Sequence, residues 1–289
     1  MTRVGIVVHP ARPAAVDAAG RLIGWLREHG VTTVRVGDEP VGSDETAPPE
    51  RFAKGLDLVV SVGGDGTFLR AAHMAAADGC PVLGVKVGRM GFLTEVDPEG
   101  APALLQRVLD GSAVIEERLA VSAEPVGGDW FEPQWALNEV MVEKHARHRL
   151  VRLAVYVDGS YVTTFSADGV IVATPTGSTA YSFSARGPIV TPSVPCLLLT
   201  PIAAHMVFDR SFVLADDQDV LLEVQGEEAG LLTADGRESQ ELPVGSKVRI
   251  RKAANPARLV RPEGAPEFPL LVREKFDLPG DPGDVSTEG

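Results

Sequence analysis

Cysteine is scarce in this sequence, which has only Cys80 and Cys196 among 289 residues. Both lie in apolar runs, a pattern that indicates a reducing compartment rather than a disulfide framework. Long hydrophobic runs are missing too, because no apolar stretch reaches the ~18 residues that a membrane-spanning helix needs. The N-terminus leads directly into a predicted strand, without the pattern of a signal peptide. We therefore expect a cytoplasmic location and no contact with membranes.

Basic residues are fewer than acidic ones: the chain has 27 Lys and Arg residues and 40 Asp and Glu residues, which gives a formal net charge of −13. This balance argues against nucleic acids and anionic membranes as partners, because both call for a basic face. An anionic substrate would need a local group of cations. The hydrophobic fraction of 44% is ample for real cores, and the length suits one large or two medium domains.

The most informative stretch is residues 57–77, LDLVVSVGGDGTFLRAAHMAA. Its apolar start predicts a strand buried on both faces, and the segment from Phe68 onward predicts a helix. The glycines between them let backbone N–H groups approach an anion, and the helix N-terminus adds partial positive charge. The stretch has neither a Walker Gly-Lys-Ser/Thr nor a GxGxxG pattern. Instead Asp65 lies among the glycines. It could take a proton from an attacking hydroxyl, hold a metal or a ribose, or only cap the helix.

Strand and helix patterns alternate through residues 1–113, which predicts a doubly wound α/β domain with a parallel sheet. The predicted elements are strands at 4–8, 31–36, 58–62 and 81–87, helices at 13–29, 68–74 and 98–110, and a loop at 37–50. The glycine-rich turns at 63–66 and 88–91 both follow strands. They therefore belong to the carboxyl edge of the sheet, where ligands bind in such folds.

Helical periodicity nearly vanishes from residue 114 to residue 265, which predicts a β-sandwich-like second domain. Its clearest signal is a hairpin that turns at Asp158-Gly159. A polar loop of small residues, TPTGSTAY at 174–181, interrupts the apolar strands and is longer than a helix cap requires. We expect residues 266–274 to return to the first domain and residues 275–289 to form a disordered tail.

Short motifs in both predicted domains follow one another in an order that is typical of one protein family. In chain order the motifs are GGDGT (63–67), GFLTEV (91–96), Asn138-Glu139, Asp168-Gly169 and TPTGSTAY (174–181). Together, over about residues 4–272, they make the chain resemble the NAD kinase family. GGDGT alone is less specific, because diacylglycerol and sphingosine kinases share it, and Asp168-Gly169 alone could be an ordinary hairpin turn. TPTGSTAY combined with the Asn-Glu pair is highly specific.

The resemblance implies a kinase that transfers the γ-phosphoryl group of ATP to the 2′-hydroxyl of the adenosine ribose of NAD, giving NADP. It implies an α/β domain followed by a β-rich domain with the site between them, a requirement for Mg²⁺ or another divalent cation with ATP, and assembly into homodimers or homotetramers. Polyphosphate is an alternative donor in the family. Two other functions stay open, a lipid kinase of the same superfamily and a catalytically weak sensor that binds NAD or NADP.

The resemblance also assigns roles to individual residues. Asp65 matches the general base, and Ala203 matches a small residue contributed through an oligomer interface. The residues expected to bind substrate or nucleotide are Gly64, Gly66, Thr67, Arg70, Asn138, Glu139, Arg149, Asp168, Thr179, Ala180, Tyr181, Ser182, Phe183, Ser184 and Ala203. No residue is expected to be a direct ligand of the metal. The pair His145 and His148 is expected to be an exposed loop rather than a metal site.

Four positions depart from the pattern of the family. Lys86 stands where a neutral polar residue is usual, and Arg186 interrupts a Ser-Ala-Gly-Gly-Pro stretch. Ser211 replaces the proline of an Arg-Pro pair, and Arg237 stands where glutamine is frequent. None of the four belongs to the motifs above. They bear on substrate preference, donor preference or contacts between subunits.

Overall fold

The structure is a computed structural model that describes residues 2–88, 91–94, 96–128, 130–206, 208–237 and 240–279. Contacts within the chain divide it into two compact units. The first unit consists of the residues up to Glu116 and those from Arg258 onward, and the second is Glu117–Ala257. The domain limits suggested by the sequence, at 113 and 265, stay predictions, and most of the predicted tail lies outside the described residues.

Strands are the commonest elements of the described chain. In chain order they are β1 Arg3–Val8, β2 Thr32–Val36, β3 Glu45–Ala47, β4 Leu58–Gly63, β5 Val82–Lys86, β6 Val114–Arg118, β7 Val121–Val126, β8 Gln134–Ala136, β9 Glu139–Lys144, β10 Val151–Val157, β11 Ser160–Ala167, β12 Gly169–Ala173, β13 Cys196–Ile202, β14 Phe212–Ala215, β15 Val220–Gln225, β16 Gly230–Ala234, β17 Gln240–Leu242, β18 Lys247–Lys252 and β19 Ala257–Arg261. The α-helices are α1 Pro13–Glu28, α2 Asp65–Ala76, α3 Ala101–Leu109, α4 Tyr181–Ser184 and α5 Phe268–Lys275, and short 3₁₀ helices occupy Pro49–Arg51 and Thr176–Thr179. None of the described helices is long and apolar enough to cross a membrane.

The first unit is built on a seven-stranded sheet in the order β3-β2-β1-β4-β5-β19-β6. Strands β1, β4 and β5 pair in parallel, and their apolar residues are buried because helices cover the sheet. Helix α1 packs its small and aliphatic face, which includes Ala19, Leu22 and Ile23, into the same core. The predicted α/β class is therefore confirmed.

Two sequence expectations about this unit were wrong in detail. Residues 37–50 were expected to be a plain loop, but β3 pairs there with β2, and the Asp44 carboxylate anchors it by accepting hydrogen bonds from Thr33 N at 2.8 Å and Thr33 Oγ1 at 2.6 Å. The helix expected from residue 98 begins at Ala101. The reason is a turn before it, in which Asp97 accepts a hydrogen bond from the Gly100 N–H at 2.7 Å.

The second unit contains two six-stranded sheets, in the orders β11-β10-β15-β18-β7-β8 and β14-β13-β12-β9-β16-β17. Neighbours such as β10 and β11, or β12 and β13, are antiparallel. The inward residues of both sheets form one apolar core, with Leu153 and Phe165 fully buried, as expected of a sandwich. The hairpin that turns at Asp158-Gly159 is confirmed.

Candidate functional site

The corner between β4 and α2 is as tight as the glycines of residues 63–67 suggest. Gly64 is the N-cap of α2, and its carbonyl accepts hydrogen bonds from the N–H groups of Thr67 at 2.9 Å and Phe68 at 3.1 Å. A Cβ on Gly63 would overlap the Thr67 side chain, so a larger residue does not fit there. The strand begins at Leu58 as predicted, but the helix, which was expected from Phe68, begins at Asp65, because the Gly64 carbonyl already accepts the first hydrogen bonds of the helix.

Asp65 is held by residues 92–94, which directly follow the second glycine-rich turn in the same unit. Its carboxylate accepts hydrogen bonds from Phe92 N at 2.8 Å, Leu93 N at 3.2 Å and Thr94 Oγ1 at 3.2 Å. A Cβ on Gly91 would overlap this carboxylate, so only glycine at position 91 lets the backbone come this close to Asp65. The described residues of the two turns, among them Gly64, Gly88 and Gly91, line one cavity at this edge of the sheet as predicted, whereas Arg89 and Met90 lie outside the described residues. The hydrogen bonds fix the position of the Asp65 carboxylate.

An open cavity of about 400 Å³ adjoins this corner. Its lining is Val8, His9, Pro10, Arg12, Gly64, Asp65, Gly66, Thr67 and Arg70. Backbone N–H groups at the start of α2, two guanidinium groups and an imidazole therefore surround one space, which suits an anion. A second open cavity, of about 790 Å³, shares Arg12, Gly64 and Asp65 with it and extends to Gly88 and Lys275.

Arg70 is anchored rather than loose at the wall of this cavity. It donates a hydrogen bond to the Val8 carbonyl at 2.8 Å and forms an ion pair with Glu39. Burial raises the pKa of the Glu39 carboxyl, while the Val8 N–H and the Arg70 charge pull it down. Glu39 thus sets the orientation of Arg70 and offsets part of its charge.

His9 and Arg12 line the cavity although the sequence analysis did not single them out. Arg12 donates a hydrogen bond to the Val87 carbonyl at 3.1 Å, and His9 Nδ1 is buried without a hydrogen-bond partner. The signal that could have found them is their place directly after β1. This strand is a parallel neighbour of β4, so it ends at the same edge of the sheet.

In the second unit, the Asn138-Glu139 pair lies at the start of β9. Glu139 is half-buried, and its Oε2 has no hydrogen-bond partner. Burial, with the nearby Asp235 charge as the second cause, raises the pKa of Glu139 to about 8, although a hydrogen bond from the Tyr181 N–H acts against this. At neutral pH this carboxyl is therefore mostly protonated and offers a hydrogen-bond donor as well as an acceptor.

The TPTGSTAY segment folds against this pair. Gly177 lies so close to the Asn138 backbone that a Cβ would overlap it, and the Thr174 N–H donates a hydrogen bond to the Asn138 carbonyl at 2.8 Å. Thr179 donates through its hydroxyl to the Thr176 carbonyl at 3.3 Å, and Ala180 caps α4. The small residues are thus needed for close approach between the two motifs.

Helix α4 presents both aromatic and polar side chains. Tyr181 and Phe183 are 41% and 39% exposed, which leaves their rings open to a ligand, whereas Ser182 is buried against Thr200, with 3.3 Å between the two hydroxyls. Burial, and then the charges of Glu143, Asp168 and Glu139, raise the pKa of the Tyr181 hydroxyl. Tyr181 therefore lies within an acidic neighbourhood of the second unit.

Asp168 and Gly169 do not form a hairpin turn, because the strands before and after them, β11 and β12, belong to different sheets. Its carboxylate pairs with Lys144 Nζ at 2.5 Å, and its N–H donates to the Ile202 carbonyl at 2.9 Å. The structure thus groups Asn138, Glu139, Asp168 and Tyr181.

Arg149 and Ala203 have other surroundings. Arg149 is exposed, and its Nε forms an ion pair with Glu228 Oε1 at 3.6 Å. Ala203 and Ser184 line a separate cavity of about 440 Å³ that also includes Arg186 and Arg210. Both Arg186, at φ 65°, and Ala203, at φ 45°, have the left-handed backbone conformation that favours glycine.

Family models and known proteins match nearly the whole chain. The family models for the ATP-NAD kinase N-terminal and C-terminal domains match residues 4–113 and 137–262. The curated NAD kinase of Heliobacterium modesticaldum is 41% identical, over 96% of this chain and 99% of that protein. NAD kinase 2 of Streptomyces avermitilis is 39% identical, over 96% and 94% respectively.

Solved structures give the same similarity. Yeast NADH kinase complexed with NADH superimposes with a TM-score of 0.88 at 26% identity, covering 97% of this chain and 89% of that one. An NAD kinase from Archaeoglobus fulgidus in complex with ATP gives 0.77 at 28% identity, covering 96% and 100%.

Proposed function

The chain belongs to the NAD kinase family, and we propose that it transfers the γ-phosphoryl group of ATP to the 2′-hydroxyl of the adenosine ribose of NAD, with Asp65 as general base. The observation that carries this assignment is the corner at Asp65. There a carboxylate is held by three hydrogen bonds beside a cavity lined by helix N–H groups and arginines. A carboxylate that receives the hydroxyl proton belongs next to a site that stabilises phosphate charge.

We assign the phosphate groups to the cavity beside α2. The N–H groups at the start of the helix and the guanidinium groups of Arg12 and Arg70 supply positive charge there, although the chain as a whole is acidic. In phosphoryl transfer most catalysis comes from positioning and charge stabilisation, so these groups would orient the donor for in-line attack. Gly64, Gly66 and Thr67 would contribute backbone contacts.

We assign NAD to the motifs of the second unit. The protonated Glu139 carboxyl can donate to a ribose or phosphate oxygen while its second oxygen accepts from a hydroxyl. The rings of Tyr181 and Phe183 are open for stacking on a planar base, and Asp168 can accept from an amide. We extend the proposal to Asn138, Arg149, Thr179, Ala180, Ser182, Ser184 and Ala203 as further contacts.

The family implies a divalent cation with ATP. Among the described residues no group of three or more His, Cys, Asp or Glu side chains could hold a metal ion. We propose that Mg²⁺ or another divalent cation arrives with the phosphates of ATP rather than on a protein site of its own. A homodimer or homotetramer, polyphosphate as a second donor and a cytoplasmic location also stay proposals.

The decisive experiment incubates the purified protein with NAD, ATP and Mg²⁺ and measures NADP. We expect turnover in the parent protein, and a loss of 10²-fold or more, on the order expected for a general base, in Asp65→Asn. NAD binding, measured by calorimetry, should survive in this variant. Asp110→Asn is the control, because this carboxylate bonds only a surface glutamine, Gln106, at 2.9 Å in the described contacts. NAD binding without turnover in the parent protein would instead favour the sensor function, and turnover of a lipid but not of NAD would favour the lipid kinase.

A further inference from the structure

Asp235, which none of the sequence motifs includes, holds the backbone of the Asn138-Glu139 pair. One of its carboxylate oxygens accepts hydrogen bonds from Asn138 N at 2.8 Å and Glu139 N at 3.2 Å, and the other accepts one from Leu137 N at 2.8 Å. In return the Asp235 N–H donates to the Glu139 carbonyl at 3.0 Å. Three successive N–H groups thus converge on one carboxylate.

The opposite side of the same backbone is held by Thr174. Its hydroxyl donates to the Leu137 carbonyl at 2.6 Å and accepts from the Gly177 N–H at 3.1 Å, and its own N–H donates to the Asn138 carbonyl at 2.8 Å. Thr174 is fully buried, so water does not compete for these bonds. Residues 137–139 therefore lie between two side chains that leave their backbone little freedom.

The backbone of Asp235 is itself constrained. It has φ 49° and is followed by Gly236 at φ 65°, a left-handed pair that aspartate and glycine accept more readily than other residues. The neighbouring Arg237 donates from Nε to the Ala234 carbonyl at 3.1 Å and from its guanidinium to the Trp135 carbonyl. This turn is thereby fastened to the chain on the N-terminal side of the pair.

We infer that Asp235 is a positioning residue of the NAD site: it fixes the backbone of Asn138 and Glu139, and with it the place of the Glu139 carboxyl. This inference rests on the proposed function, which assigns the pair to NAD. The same arrangement contributes to the protonation of Glu139, because a carboxylate beside a second carboxyl disfavours ionisation of that second group. Burial is the main cause that raises the pKa of Glu139, the Asp235 charge raises it further, and the hydrogen bond from the Tyr181 N–H lowers it. The charge of the Arg237 guanidinium lowers the pKa of Asp235, which burial raises.

The test is Asp235→Asn in the full-length protein. Asparagine keeps the left-handed backbone but loses the charge and places an N–H₂ group where one oxygen accepted. We expect kcat/KM for NAD to fall on the order of 10²-fold, because the pair is displaced, while KM for ATP stays unchanged. The control is Asp158→Asn. Asp158 also has φ 49° before a glycine and also accepts a backbone N–H, from Asp219 at 2.9 Å, but it lies in the hairpin turn of the other sheet.

The pH profile separates this role from a merely structural one. In the parent protein the affinity for NAD should change with a midpoint near the Glu139 pKa of about 8. In Asp235→Asn the midpoint should move to lower pH, because one of the two causes that raise this pKa is gone while burial remains. Glu139→Gln should abolish the step, and adding Asp235→Asn to it should produce no further shift. An unshifted midpoint in Asp235→Asn would overturn the inference.

Two further measurements keep the result decisive if Asp235→Asn is unstable or if the parent protein binds no NAD. Amide hydrogen exchange should show lost protection at residues 137–139 in Asp235→Asn and unchanged protection in Asp158→Asn. The pair Thr174→Val and Thr174→Ser tests the other side, since only serine keeps the hydroxyl, and NAD affinity should fall in the first and largely return in the second. A parent protein without NAD binding refutes the proposed function, whereas unchanged exchange at residues 137–139 refutes the holding role of Asp235.

Discussion

The substitution Gly91→Ala should inactivate the enzyme while leaving the fold intact. The added Cβ would lie only 1.8 Å from Asp65 Oδ1, whereas ordinary van der Waals contact begins at 3.4 Å, so the carboxylate must move by on the order of 1 Å or more. It would then lose its hydrogen bonds from Phe92 N, Leu93 N and Thr94 Oγ1. The adjoining cavity is open, so the displaced charge can be hydrated and the fold should lose only about 1 kcal/mol.

A misplacement of this size costs on the order of 10²-fold in rate, or about 2.7 kcal/mol in activation free energy. The assay is kcat/KM for NAD phosphorylation together with the thermal midpoint of unfolding. Gly20→Ala in α1 is the control, because its Cβ meets nothing within 4 Å and should only favour the helix. In a double-mutant cycle, Gly91→Ala should add little to Asp65→Asn. Full activity in Gly91→Ala would refute the argument that the position of Asp65 matters.

Two other predictions follow from the second unit. Arg186→Gly should raise the free energy of unfolding by about 1 kcal/mol, read from the denaturant midpoint, because φ 65° is strained for arginine and not for glycine; a lower midpoint would contradict this. Glu139 keeps its proton up to about pH 8 in the folded state but gives it up near its ordinary 4.5 when unfolded, so its contribution to stability falls as pH rises between these values. Glu139→Gln should flatten that fall in urea titrations run across the window, and an unchanged slope would show that Glu139 does not cause it.

The motif at 57–77 could be interpreted from sequence because its signals are local. An apolar β-branched run, a set of glycines and a helical pattern follow one another, and each depends only on neighbouring residues. The partners of Asp65 were harder to identify, since Phe92 N lies 27 residues further along the chain. Only the general rule that strand ends share an edge connected the two turns.

Asp235 could not be identified from sequence in the same way. It lies 97 residues from Asn138, and nothing in its local sequence distinguishes it from the Asp-Gly turn at Asp158, which has the same φ and no part in the site. The end of the second unit shows the same limit. The short run of β19 resembles any edge strand, although it pairs with β5 inside the first sheet.

The location of β19 bears on how the chain is made. The first sheet requires residues 257–261 between β5 and β6, so a ribosome must produce the whole of the second unit before that sheet can close. At roughly 5–20 residues per second, synthesis of the ~170 residues between Lys86 and Ala257 leaves the edge of β5 unpaired for roughly 10 to 30 seconds. Nascent chains truncated before residue 257 should therefore bind holding chaperones through the exposed border of β5, and release should coincide with the emergence of the last strand.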